Sequence, residues 1–256
     1  MADIPLPENL YQYQPCNELT MANIINSVIH LGSPSRFNDP FDCTFTFPPP
    51  TTEQLPLLRK SLLDNGSEPL PESDAELASL VASRHNATYQ LIKSETIDKL
   101  GVCCLSEHHP ESDGSFLMWS HYANKHYGFC LEFDTAKKPF STAKYVDYVD
   151  AFPCVDIQRI QIEDRISEDD RDKCLGTKST HWEYEKEWRL ISQKAGYEEY
   201  NPSQLTAVYF GFRMSDVELN AISKVLCSYG KQTPLFRMRP LNDSYRLEAD
   251  KLIYND

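Results

Sequence analysis

The chain has 256 residues, 41% of them hydrophobic, and a formal net charge of −13 at pH 7. That length and apolar share suit one sizeable globular domain spanning 1–256, and the acidic balance excludes broad non-specific binding to nucleic acid, which demands a basic surface. Met1-Ala2-Asp3-Ile4-Pro5 lacks the basic start and apolar run of a secretory signal, and no stretch approaches the roughly 20 apolar residues of a membrane span. A cytosolic protein with no membrane partner is therefore expected.

In chain order, Asn9 to Gln14 predicts a short strand with Tyr11 and Tyr13 on one face, Leu19 to Ser27 a helix, and Val28 to Leu31 a second strand. Arg36-Phe37-Asn38-Asp39-Pro40-Phe41-Asp42 follows as a loop, since Pro34 and Pro40 forbid a regular helix or central strand there. Pro48-Pro49-Pro50 reads as a stiff spacer. Helical spacing of Leu77, Leu80, Val81, Tyr89, Ile92 and Ile97 marks a helical insertion over 52–100, with helices from Thr52 to Leu63 and from Asp74 to Leu100 and a linker over 65–71.

Gly101 to Ser106 reads as a buried strand, Phe116 to Tyr122 as one or two helical turns, and the alternation after Gly128 as a strand ending at Asp134. Ala143 to Asp150 is expected as one strand, and Val155 to Lys173 as a helix with a solvated acidic face made by Glu163, Asp164, Glu168, Asp169, Asp170 and Asp172. Leu205 to Phe210 is another strand, Ser215 to Ser228 a helix capped by Ser215, and Pro234 to Arg239 and Tyr245 to Ile253 close the chain as strands. The order predicts an α+β fold around a mixed, mainly antiparallel sheet. Lys231, Arg237, Arg239 and Arg246 form the best candidate for a local basic patch.

The segment His181-Trp182-Glu183-Tyr184-Glu185-Lys186-Glu187-Trp188-Arg189-Leu190-Ile191 sets acids and an arginine among aromatics where a strand begins. On an extended run Glu187, Arg189 and Ile191 share one face and Trp188 and Leu190 the other. Glu185 joins the polar row if the strand starts early. On a solvated face such a pair contributes only about 0–1 kcal/mol. A second unusual segment upstream, Met118-Trp119-Ser120-His121-Tyr122 with His126 and Gly128, places two histidines at a helix-to-strand junction, where loops hold ligands on a rigid scaffold.

Three chemistries are open to these residues. Cys103, Cys104, His108, His109, His121 and His126 offer zinc-type ligands without the paired spacings of zinc modules, and adjacent Cys103 and Cys104 face opposite sides of a strand, so no metal site is expected. The eight cysteines include no CxxC pair and read as reduced thiols, and Cys130, inside a strand, as an inert one rather than a nucleophile. Carboxylate chemistry on a sugar-like centre fits best. Glu187, Glu185, His121, Tyr122, Tyr11, Tyr13 and Arg36 are its cast, with the acid stabilising an oxocarbenium-like transition state and the arginine gripping phosphate.

Leu10-Tyr11-Gln12-Tyr13, the FNDPFD block from Phe37, Gly101-Val102-Cys103-Cys104-Leu105-Ser106, the MWSHYA block with His126 and Gly128, and Lys178-Ser179 before Trp182-x-Tyr184-Glu185-x-Glu187-Trp188-Arg189 together resemble a bacterial domain-of-unknown-function family. The chain also loosely resembles ADP-ribosyltransferases, whose late strand bears a catalytic Glu, often in Glu-x-Glu. That resemblance implies NAD as the substrate nucleotide, Glu187 as catalytic acid with Glu185 and His121 beside it, and a binding set of Tyr11, Tyr13, Arg36, Asn38, Asp39, Trp119, Tyr122, His126 and Arg189. The first strand departs from the pattern, with Tyr and Gln where His or Arg is expected. The implied role is a defence or toxin-type effector that acts on a protein or nucleic-acid acceptor. A non-catalytic ligand-sensing or protein-interaction module and a metal-dependent hydrolase or nuclease are the alternatives.

Overall fold

The computed structural model describes residues 4–48, 50–64, 70–155, 157, 160, 165–230 and 233–252. Among the described residues twelve strands are formed: β1 Asn9–Gln14, β2 Val28–Leu31, β3 Gly101–Ser106, β4 Phe129–Asp134, β5 Lys144–Tyr145, β6 Asp147–Val149, β7 Thr177–Ser179, β8 Glu187–Ser192, β9 Gly196–Glu199, β10 Leu205–Phe210, β11 Leu235–Pro240 and β12 Leu247–Lys251. Eight of them make one sheet in the order β12-β11-β10-β4-β1-β3-β8-β5. Its pairings are antiparallel except for β10 with β11, which run parallel across the helix Asp216–Ser228. β2 with β9 and β6 with β7 make two small separate sheets. The α+β class with a mainly antiparallel sheet therefore holds.

Alternation along the strands divides the core. Leu10, Leu105, Leu131, Phe133, Trp188, Leu190 and Val208 face one side, where Ile24 of the helix Glu18–Asn26 and Leu219, Ile222 and Leu226 of the helix Asp216–Ser228 cover them. Each large side chain so buried contributes on the order of 1.5–3 kcal/mol. On the other side Tyr11, Tyr13, Cys130 and Tyr209 pack against Met118 and Trp119 of the helix Ser115–Tyr122. Of the two helices of the 52–100 segment, the later one is tied to the sheet by a third cluster, including Phe45, Phe47, Ile92, Ile97, Val102 and Leu175. Those helices are Leu55–Asp64 and Asp74–Glu95, and the chain tightens to a 3₁₀ turn at Ile97–Lys99 before β3, ending the long helix earlier than its apolar spacing predicts. Most of the expected linker over 65–71 lies outside the described residues.

Two expectations fail. Ala143 to Asp150 is not one strand: Val146 is wholly buried and its N–H bonds to Glu187 O, so Lys144–Tyr145 pairs with β8 while Asp147–Val149 pairs in parallel with β7. The alternation runs unbroken through a change of sheet, which is why the pattern hides the break.

The expected helix from Val155 to Lys173 is interrupted, because Ser167 is extended and caps a separate helix, Glu168–Gly176, by accepting from Asp170 N. Asp170 is buried there and not part of a solvated face; Glu163 and Asp164 lie outside the described residues. Among the described residues of the candidate basic patch, Arg237 pairs with Asp216, Arg239 with Glu248 and Asp250, and Arg246 with Asp113; Lys231 lies outside the described residues.

Candidate functional site

The register of the sheet assembles a polar row on the face beneath the helix Ser115–Tyr122. Tyr11 of β1 stands opposite Ser106 of β3, Ser106 opposite Glu187 of β8, and Cys104 opposite Arg189. Directly opposed residues project to the same side, so Tyr11, Ser106 and Glu187 form one rank and Cys104 and Arg189 the next. Above this floor lies a cavity of about 420 Å³, lined by Tyr11, Tyr13, Arg36, Asn38, Cys104, Ser106, His121, Tyr122, Lys178, Glu185 and Glu187 among others.

Glu187 and Arg189 are far from the solvated pair that spacing alone allows. The Arg189 side chain is 0% exposed. Its Nε donates to Glu187 Oε1 at 2.6 Å, its two terminal nitrogens to Asp42 Oδ2 at 2.8 Å, Glu187 Oε2 at 3.2 Å, Leu175 O at 2.8 Å and Cys43 Sγ at 3.3 Å. Asp42 arrives from the FNDPFD loop, where Asp39 Oδ1 accepts from Phe41 N and Asp39 O from Asp42 N, closing a turn that aims the Asp42 carboxylate inward.

Glu185 reaches the same cluster by a route that extended alternation does not provide. It ends a 3₁₀ segment, Thr180–Glu185, capped by Ser179, and Lys186 then adopts a left-handed conformation at φ 45° that turns the chain into β8. Both carboxylates consequently meet Lys178 of β7, whose Nζ lies 2.5 Å from Glu185 Oε2 and 2.8 Å from Glu187 Oε2, with Asp42 Oδ2 at 3.8 Å. Tyr122 OH donates to Glu185 Oε1, Ser106 Oγ donates to Glu185 O at 2.6 Å, and Tyr148 OH accepts from Glu187 N at 2.8 Å.

The electrostatics separate the two glutamates. Burial alone pushes Glu187 up, but the Arg189 guanidinium and the Lys178 ammonium outweigh it and hold the carboxyl at about 2. Burial also pushes Glu185 up, and there the attraction of Lys178 does not overcome it, with Glu187 adding to the rise, so the net shift is upward. Lys178 is in turn stabilised in its charged form by Glu187 and Glu185, against its burial. Two carboxylates whose environments drive them apart are the arrangement expected of a proton-transferring group and a fixed charge.

The sequence-derived residues sort into distinct places. Tyr11, Tyr13, Arg36, Asn38, His121, Tyr122, Glu185 and Glu187 come together around the cavity. Arg189 sits behind its floor, and Asp39 lines the adjoining cavity and accepts from Trp182 Nε1 at 2.6 Å.

Trp119 and His126 are in neither place. Trp119 is 0% exposed, lies edge-on to Tyr13 and donates through Nε1 to Pro110 O. His126 is packed between Trp119, Phe116 and Phe212, with Nε2 3.1 Å from Ser120 Oγ, and burial, aided by Arg213, lowers it to about 4. Both are core groups and cannot stack on a ligand.

Lys178, Asp42, Cys104 and Ser106 are the site residues that pattern reading did not select. All four lie inside the motif blocks, which carry no role for them; for Lys178 there is also a charge count, since two buried glutamates need more than the single Arg189.

Residues 118–190 match a family described as a protein of unknown function, DUF2971. The matched stretch is well under half of the chain and carries Tyr122, Lys178, Glu185, Glu187 and Arg189; Tyr11, Tyr13, Arg36 and Asp42 lie outside it. No curated protein and no solved structure matches the chain.

Proposed function

We propose that the cavity binds the nicotinamide–ribose end of NAD and that the chain cleaves that glycosidic bond, handing the ribosyl group to water or to a protein or nucleic-acid acceptor. The roles differ from those the ADP-ribosyltransferase resemblance implies. Glu185 is the reacting carboxylate and Glu187 a positioning residue, because Glu187 is clamped by two cations, Arg189 and Lys178, that hold its carboxyl low, whereas Glu185 meets one cation and the Tyr122 hydroxyl and is shifted upward.

The observation that carries this reading is the Glu185 carboxylate, buried, shifted upward and held between Lys178 Nζ and Tyr122 OH at the floor of a cavity. As the C–N bond breaks, nicotinamide leaves with its electron pair and needs no proton, while positive charge develops on the ribose. The Glu185 carboxylate faces that charge. The acceptor's oxygen or nitrogen then bonds to the ribose carbon and its proton passes to Glu185, whose raised basicity favours the transfer.

Arg36 and His121 at the cavity lining supply donors for phosphate and ribose oxygens. A divalent-ion hydrolase is less well supported, since Lys178 Nζ already occupies the position between Glu185 and Glu187. The saturation of Glu187 favours one other role, binding without turnover, in which NAD persists unchanged.

The test is nicotinamide release from NAD by the purified protein and a Glu185→Gln variant, with and without candidate acceptors. A loss of at least about 100-fold in the variant is expected for removal of a general base. Wild-type protein that neither binds NAD nor releases nicotinamide with acceptors present overturns the reading; binding without release leaves the sensing role.

A further inference from the structure

A second cavity, about 830 Å³, adjoins the first, and Asn38 and Lys178 line both. Its character is different. Phe41 and Phe152 stand at its edge with ring centroids 6.1 Å apart and planes 26° from parallel, yet they are 64% and 46% exposed. Two large apolar rings held together in water on a cavity wall are a ready stacking surface.

Trp182 faces the same space. Its indole N–H is fixed on Asp39, and the Lys178 ammonium lies 5.1 Å from its ring centroid. The rim also offers polar groups: Asp150 Oδ1 accepts from Thr180 OH at 2.6 Å, and Ser179 Oγ lies 2.9 Å from His181 Nδ1. Aromatic walls with a carboxylate and a histidine at the edge suit a flat heterocycle bearing N–H groups on its periphery.

We infer that this cavity is a base-binding chamber that takes the purine ring of a dinucleotide, with the sugar-phosphate link passing Asn38 and Lys178 into the polar cavity. The inference rests on the NAD reading for the dinucleotide, but the chamber's own ligand chemistry is separable from it. Phe41 and Phe152 provide the stacking surface, and Asp150 accepts from the ring's exocyclic amine.

The test uses the full chain and AMP, which has the purine and no nicotinamide bond to break, so the outcome does not depend on catalysis. Trp119 and Trp188 are 0% and 2% exposed, which leaves Trp182 as the tryptophan whose fluorescence a bound ring changes. Saturable quenching by AMP and none by ribose 5-phosphate is expected. Phe41→Ala and Phe152→Ala, at exposed positions where the fold tolerates truncation and far-UV circular dichroism checks it, are each expected to weaken AMP binding about tenfold.

Absence of AMP quenching, equal quenching by ribose 5-phosphate, or unchanged affinity in both phenylalanine variants overturns the base chamber. Nicotinamide release without AMP binding removes this chamber and leaves the NAD reading, whereas AMP binding without nicotinamide release leaves the chamber and removes NAD cleavage.

Discussion

Replacing Arg189 by Met removes one cation from a place that holds three carboxylates. Asp42 and Glu187 both lose guanidinium hydrogen bonds, as does Leu175 O, and Lys178 Nζ is left as the cation between Asp42, Glu185 and Glu187. Breaking a buried ion pair by removing one partner costs about 3–5 kcal/mol, because the remaining charge stays buried and uncompensated.

The electrostatics point the same way: Arg189 and Lys178 together hold Glu187 at about 2 against an ordinary 4.5, which at about 1.4 kcal/mol per pH unit is roughly 3 kcal/mol, and the Arg189 share of it is lost in the variant. A depressed carboxylate contributes stability that is present above the unfolded value and lost as pH falls through the folded one. The wild type is thus expected to lose stability between pH 4.5 and about 2, and Arg189→Met to show a flatter profile there. Urea unfolding at pH 7 measures the first effect and the same titration at lower pH the second. A variant within about 1 kcal/mol of wild type at pH 7, below the range for a broken buried pair, would show that the cluster is wetter and weaker than its geometry states, and the argument for Glu187 as a fixed charge would fail with it.

Two further expectations concern the turn between the helix Ser115–Tyr122 and β4. A Cβ at Gly128 would collide with the backbone oxygen of Gln14, and neither partner is the free end of a side chain, so Gly128→Ala should cost about 3 kcal/mol and lower the melting temperature by several degrees; an unchanged melt would contradict the packing described. His126 is neutral in the fold, with its value lowered from 6.5 to about 4 by burial and by Arg213, so its contribution is present above pH 6.5 and lost as pH falls through 4. Urea midpoints should drop across that window in the wild type and drop less in His126→Phe; parallel slopes would place His126 in water.

Much of the architecture was legible because it is local. β8 is the extended run on which Glu187, Arg189 and Ile191 are expected to share a face, β1 spans the predicted Asn9–Gln14, and Ser215 caps its helix with Glu218 completing the box. Period-two alternation and cap chemistry act over a few residues, and a few residues are what a sequence shows.

The candidate site was legible only in half. Glu187 and Arg189 share a face by strand geometry, but Glu185 joins them through the left-handed Lys186, which no propensity marks. Asp42 is 147 residues away from Arg189. Trp119 and His126 misled for a related reason: aromatics and histidines carry the same letters whether they line a pocket or fill a core, and only the direction in which the helix Ser115–Tyr122 lies on the sheet decides.

The floor of the pocket sets Asp42, Glu185 and Glu187 against Lys178 and Arg189, three acids to two bases. The surplus acid bears on Glu185, whose carboxyl burial and Glu187 push upward. A ligand that brings positive charge to this floor favours the ionised form of Glu185 and one that brings negative charge favours its protonated form, so binding is linked to proton release or uptake and its heat is expected to vary with the ionisation enthalpy of the buffer.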